Sequence, residues 1–151
     1  MKISKKFIAT LRHDYSQDEL SEKKVNKNHF LQFENWFDDA LKKDKHYANA
    51  MTLATADNKG KPSSRVVLMK GFDKNGFTFF TNYHSRKAKS LSENPYASLT
   101  FFWKEWSRQV HIEGKVKKVS AKESDEYFQS RPRGSQLGAW ASPQSSVIKN
   151  R

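Results

Sequence analysis

Six cations of this chain stand where neighbouring elements could turn them toward one anion. Arg65 and Lys70 close the two ends of the strand-like run Arg65-Val66-Val67-Leu68-Met69-Lys70. Arg86 and Lys87 follow a second run, Phe77-Thr78-Phe79-Phe80-Thr81-Asn82, across the turn Tyr83-His84-Ser85, while Arg131 and Arg133 flank a proline further on. Planar Arg forks and point-charge Lys at such positions suit a phosphate, and a helix capped by Ser85 would add backbone N–H donors. The competing account is that these are ordinary solvating charges on a basic protein, and pattern alone leaves both open.

Other chemistries find less support. The six glycines never cluster into a phosphate-cradling loop, and the five histidines lack metal-ligand spacing. No serine sits in a nucleophile elbow, and the absence of cysteine removes disulfides, thiolate metal sites and Cys nucleophiles. Aromatics alternate with cations in Phe101-Phe102-Trp103-Lys104-Glu105-Trp106-Ser107-Arg108, which also fits a base-stacking surface. Packing of those rings into a barrel wall is the favoured reading.

The chain has 151 residues, enough for one domain with its own core. Its 28 Lys and Arg outnumber 16 Asp and Glu, a net charge of +12, which favours phosphorylated small molecules, nucleic acid or an anionic surface as partners. With no membrane-length apolar run and no hydrophobic leader segment, the expectation is a soluble, cytoplasmic protein.

The elements that must position the cations follow from periodicity. Residues 1–27 are lysine-rich and poor in large apolar residues, which predicts a flexible basic arm ahead of a domain over 28–151. Asn28 is a candidate N-cap for a helix whose stripe of Phe30, Phe33, Phe37, Ala40 and Leu41 reads as core packing. Strands are expected over 51–55, 63–72 and 77–82, joined by Asp57-Asn58-Lys59-Gly60 and Asp73-Lys74-Asn75-Gly76. Ser85 would cap a helix over 86–91, stopped by Asn94-Pro95. Further strands over 97–103 and 108–119, a helix over 121–129 and a last short helix from Ser135 to Trp140 complete the reading. Five strands with mostly local connections predict an α+β, mainly β fold, a small antiparallel barrel with flanking helices.

Several of these segments together resemble one family. Arg65 through Lys70, Phe80-Thr81-Asn82, Ser85-Arg86-Lys87, Arg108-Gln109-Val110, Tyr127-Phe128-Gln129-Ser130-Arg131-Pro132-Arg133 and Gln144-Ser145-Ser146 fall in the order and spacing of pyridoxamine 5'-phosphate oxidase, from about Phe30 to Ile148. The resemblance implies an FMN-binding split barrel of antiparallel Greek-key type, working as a homodimer with FMN at the subunit interface. It assigns Arg65, Val66, Val67, Leu68, Met69, Lys70, Phe80, Thr81, Arg86, Lys87, Gln109, Gln144 and Ser145 to FMN, with Arg86 and Lys87 on its phosphate and one group coming from the second subunit. Lys70, Tyr127, Arg131 and Ser135 would grip the phosphate of pyridoxamine or pyridoxine 5'-phosphate, and Arg12 to Tyr15 resemble a mobile lid. The implied reaction moves a hydride from substrate C4' to flavin N5, giving pyridoxal 5'-phosphate, with dioxygen reduced to hydrogen peroxide. No metal, nucleic acid or membrane is implied.

Family members continue beyond the Gln-Ser-Ser loop into closing strands with further flavin and substrate contacts, and here the sequence ends at Arg151. The expectation is therefore a split barrel lacking its C-terminal closing strands. Three readings follow: the oxidase, a flavin- or pyridoxal-phosphate-binding protein with little or no catalysis, and a nucleic-acid-binding domain suggested only by charge and aromatics.

Overall fold

The computed structural model describes residues 5–12 and 20–147. A short helix, α1 (Lys5–Thr10), lies in the stretch where composition predicts no element, and Phe7, Ile8 and Leu11 stay largely exposed around it. The core begins with α2 (His29–Lys43). Asn28 Oδ1 accepts from the backbone N–H groups of Phe30 and Leu31 at 2.9 and 3.4 Å, satisfying donors that a helix N-terminus leaves unpaired.

β1 (Ala50–Ala56) and β2 (Pro62–Leu68) form an antiparallel hairpin in register from Ala50↔Leu68 to Ala56↔Pro62. Its turn depends on Asp57, whose carboxylate accepts from the amides of Lys59 and Lys61, and on Gly60 at φ +75°, a conformation glycine adopts without a Cβ clash. The strand expected over 63–72 breaks at Met69-Lys70. Asn49 holds the break, since its carbonyl accepts from Met69 N at 2.8 Å and its side-chain Nδ2 donates to Met69 O at 2.9 Å. Beyond it, β3 (Gly71–Asp73) and β4 (Gly76–Thr78) pair as a separate two-stranded ribbon, so the described residues hold six strands rather than five and Phe80 and Thr81 lie past β4.

After α3 (Arg86–Glu93), β5 (Tyr96–Trp103) pairs with β1, and β6 (Arg108–Lys115) pairs with β5. The main sheet is antiparallel in the order β2-β1-β5-β6, and among the described residues it does not close into a barrel. β6 stops four residues short of the expected 119. α4 (Ala121–Ser130) is capped by Ser120, and α5 (Arg133–Ala141) begins two residues before Ser135. Pro132, with φ −53°, is already shaped for a helix start, so no hydroxyl cap is needed there.

One sheet face carries Met51, Leu53, Leu99, Phe101 and Trp103, all buried against Phe33 and Ala40 of α2. Phe33 is the hub, with the rings of Phe72, Phe77 and Phe101 edge-on at 4.9, 4.8 and 5.2 Å. Edge-on packing sets positive ring edges against negative faces. The α2 stripe is thus core, as its spacing predicts. The opposite sheet face leaves Val66 and Phe102 exposed at 68% and 67%.

A clamp fixes the far end of the sheet to α2. Arg108 Nη1 lies 2.9 Å from Asp39 Oδ2, and its guanidinium is 4.9 Å from the Trp106 ring and 5.2 Å from that of Trp36. The hydrogen bond from Arg108, then that from Lys42, holds the Asp39 carboxyl below its usual pKa. A charge-assisted bond plus ring contacts on a largely buried cation should make Arg108→Ala cost about 2 kcal/mol of stability. Because Asp39 titrates lower when folded, the pair's contribution is present above about pH 4, its unfolded value, and is lost as pH falls through the folded value. Thermal melts of both proteins from neutral to acid pH check this. The stability gap should narrow in acid, whereas a constant gap would assign Arg108 to packing alone.

Candidate functional site

The site assembles at the β2 edge of the sheet. Strand alternation puts Ser63, Arg65 and Val67 on the core face, opposite Thr55, Leu53 and Met51, and sends Val66 and Leu68 to the exposed face. Arg65 lies back across β1: Nη1 donates to Thr55 Oγ1 at 2.9 Å and to Leu53 O at 3.2 Å, and Nη2 donates to Ser63 Oγ at 2.6 Å. Met69 is buried beside the core, while Lys70 is exposed, its backbone N–H bonded to Thr78 O at 2.8 Å.

The second component is the start of α3. Asn82 Oδ1 accepts from His84 N at 2.8 Å and Asn82 O from Ser85 N at 3.1 Å, a turn that drives Ser85 fully into the protein. Ser85 Oγ accepts from Ala88 N at 3.4 Å, capping the helix as its sequence predicts. Lys87 then folds back over the turn. Its Nζ donates to Thr81 Oγ1 at 3.1 Å, Ser85 Oγ at 3.4 Å and Gln144 Oε1 at 2.8 Å, the last reaching across 57 residues of sequence.

Arg65, Arg86 and Lys87 therefore share one locale, and among the described residues no carboxylate lies within ion-pair distance of any of them. Their electrostatics register the proximity. Burial and then the Arg86 charge push Arg65 below the usual guanidinium range, and burial and then Arg65 push Lys87 below the usual ammonium range. Half-buried Arg65 and Lys87, with exposed Arg86 beside them and no carboxylate partner among the described residues, make this locale a candidate anion site.

Phe80 leads into a neighbouring group by stacking on Tyr127, ring centroids 3.7 Å apart and planes 4° from parallel. Tyr127 and Arg131 are four residues apart but do not share a helix face. α4 ends at Ser130, Arg131 is extended at φ −74°, ψ 147°, and its guanidinium lies 6.0 Å from the Phe128 ring. Gln136, unnoticed in the sequence, bonds the carbonyls of Phe128, Gln129 and Arg131 and so fixes this corner. Ser135 is exposed in the first turn of α5, and Ser145 is exposed at φ 66° next to Gln144.

Gln109 does not join the cluster. It pairs with Phe102 on the sheet's outer face, in the strand at the opposite edge from Arg65. Arg12 is exposed after α1, and Tyr15 lies outside the described residues. Thr55 and Ser63, which the sequence places only as strand residues, belong to the site. The signal for Thr55 was a hydroxyl at the buried parity of β1, where Met51 and Leu53 are apolar, and Ser63 is its cross-strand partner on β2. A separate depression of about 220 Å³, lined by Lys43, Tyr47, Phe102 and Trp106 among others, contains none of these cations.

The chain is similar to known proteins in both sequence and fold. The sequence model of the pyridoxamine 5'-phosphate oxidase family matches residues 37–151. The chain is 56% identical over 146 residues to a pyridoxine/pyridoxamine 5'-phosphate oxidase of Pseudomonas putida (strain GB-1), covering 95% of this chain and 68% of that protein. The Nostoc punctiforme protein of the same name is also 56% identical, covering 97% of this chain and 68% of its own length. The chain thus spans about two thirds of these relatives. Among solved structures, PhzG from Burkholderia lata 383, in complex with tetrahydrophenazine-1-carboxylic acid, superposes with a TM-score of 0.83 at 28% identity over 90% of this chain and 68% of that one. A pyridoxamine 5'-phosphate oxidase-related, FMN binding protein from Nostoc punctiforme shares the fold, with a TM-score of 0.62 at 21% identity over 78% of this chain and 68% of that one. By sequence and by fold, the chain belongs to the pyridoxamine 5'-phosphate oxidase family.

Proposed function

We propose that this chain is an FMN-dependent oxidase converting pyridoxamine or pyridoxine 5'-phosphate to pyridoxal 5'-phosphate with dioxygen, within vitamin B6 metabolism. The observation that carries the reading is the cluster of Arg65, Arg86 and Lys87 without a carboxylate partner. A phosphate dianion would offset the repulsion and burial that now disfavour the Arg65 and Lys87 charges, and Thr81, Ser85 and the α3 N-terminus supply further polar contacts of the right kind.

In this reading Arg65, Arg86 and Lys87 hold the FMN phosphate. Val66, Val67, Leu68 and Met69 line the flavin, because β2 is an edge strand whose outer N–H and C=O groups have no sheet partner. Phe80 and Thr81 border it on the other side, and Gln144 and Ser145 approach from the C-terminal turn. Lys70, Tyr127, Arg131 and Ser135 grip the substrate phosphate, with Tyr127 held in orientation by its stack on Phe80. Arg12 is assigned to the substrate phosphate as well, together with Tyr15, which lies outside the described residues. When bound, FMN supplies the acceptor for the hydride lost from substrate C4', with dioxygen as the final oxidant. The chain's own work is to fix two phosphates so that two rings meet in one orientation, and to shield them from water.

Gln109 can serve such a site only from a second copy, since it lies on the other face and the far edge of its own sheet. The apolar outer face bearing Val66, Leu68 and Phe102 suits that contact, so the working form is a homodimer. Among the described residues no helix is long and apolar enough to cross a membrane. A chain without cysteine fits the cytoplasm, where we place it.

Replacing Arg86 and Lys87 together with Ala should weaken FMN binding by about a hundredfold or more, two charge-assisted contacts at roughly 1.5–3 kcal/mol each. Fluorescence titration of FMN at low and high salt checks it, and an unchanged dissociation constant would remove these residues from the phosphate. Arg131→Ala should reduce affinity for pyridoxal 5'-phosphate while leaving FMN affinity and melting temperature intact. Equal loss of both ligands would instead place Arg131 in the fold.

A further inference from the structure

Thr55 and Ser63 make an arrangement that stability alone does not explain. Thr55 is only 3% exposed at a β1 position whose parity neighbours are Met51 and Leu53, so its hydroxyl sits where an apolar side chain would pack. Burying a hydroxyl is unfavourable unless it is hydrogen-bonded. Its partners are Arg65 Nη1 at 2.9 Å and the Ser63 hydroxyl at 3.3 Å, and Ser63 in turn accepts from Arg65 Nη2 at 2.6 Å. With Leu53 O at 3.2 Å, three hydrogen bonds hold the guanidinium, and every acceptor is neutral.

A guanidinium carries five N–H donors, so three such bonds leave two for a ligand. The choice of acceptor is what matters. An Asp or Glu at either position would anchor Arg65 at least as firmly, but it would cancel the charge within a few ångströms of the site. Neutral hydroxyls fix direction without that cancellation. The cost is visible in the electrostatics, because Arg65 is held half-buried beside Arg86 against its own charge preference.

We propose that Thr55 and Ser63 are positioning residues that aim the Arg65 guanidinium at the cofactor phosphate through neutral hydrogen bonds, leaving its full charge for that phosphate. This rests on the reading of the cation cluster as the FMN phosphate site.

The experiment compares FMN with riboflavin, which is FMN without its phosphate, on the full chain. Thr55→Val with Ser63→Ala should weaken FMN binding by about tenfold or more, the equivalent of a misdirected charge-assisted contact. Riboflavin affinity should be unchanged, and Thr55→Ser, which keeps the hydroxyl, should bind FMN as the wild type does. Ser63→Ala alone, on the half-buried edge strand, carries the same FMN-selective loss in smaller measure and serves if the double variant does not fold. FMN affinity retained in these variants overturns the proposal, as does equal loss of FMN and riboflavin, which marks a structural role. A wild-type chain with no preference for FMN over riboflavin would instead overturn the phosphate reading itself, and the positioning role with it.

Discussion

The candidate site depends on three cations being kept close together with no carboxylate partner among the described residues. Arg65 comes from the edge strand of the sheet, and Arg86 and Lys87 come from the first turn of a helix that a fully buried serine caps. Placing like charges near one another, two of them half-buried, is unfavourable, so the surrounding elements must be stable enough to impose it. Every polar partner in reach is a hydroxyl, a carboxamide or a carbonyl. Among the described residues no acid pairs with these cations, so the locale keeps its positive charge.

The rest of the fold supplies the rigidity. Phe33 and the rings around it weld α2 to the ribbon and to β5, and Asn49 pins the break after β2 so that Lys70 and the following residues turn away from the sheet. The Arg108–Asp39 pair shows the contrasting use of the same chemistry. There a guanidinium meets a carboxylate and two indole rings, and it contributes to stability rather than to recognition. One chain thus carries a neutralised arginine where structure is needed and an unneutralised one where an anion is expected.

Much of this was legible in the sequence. The N-caps at Asn28 and Ser85, the Asp57 to Gly60 turn and the aromatic stripe of α2 are local signals, and local hydrogen bonds and helical spacing dictate them. The order of motifs from Arg65 to Ser146 carried the family. What failed was longer range or set by one residue. The break at Met69 comes from Asn49, twenty residues earlier, which no periodicity reveals. α4 runs one residue past the expected 129, and Arg131 stands outside it because the residue before Pro132 is driven from the α conformation. Gln109 stands apart from these: sheet pairing puts it on the outer face at the far edge of its own sheet, where the expected contribution from a second subunit would come from. Thr55 was hidden because a buried threonine in a strand looks like packing until its partner is seen.

The central claim is that the cluster recognises a phosphate carried on a flavin. Titration of the wild-type chain with FMN and with riboflavin over a range of ionic strength tests it most directly. FMN should bind far more tightly at low salt, and its advantage should shrink steadily as added ions screen the cluster. Equal affinities for the two flavins, or an FMN preference indifferent to salt, would contradict the account.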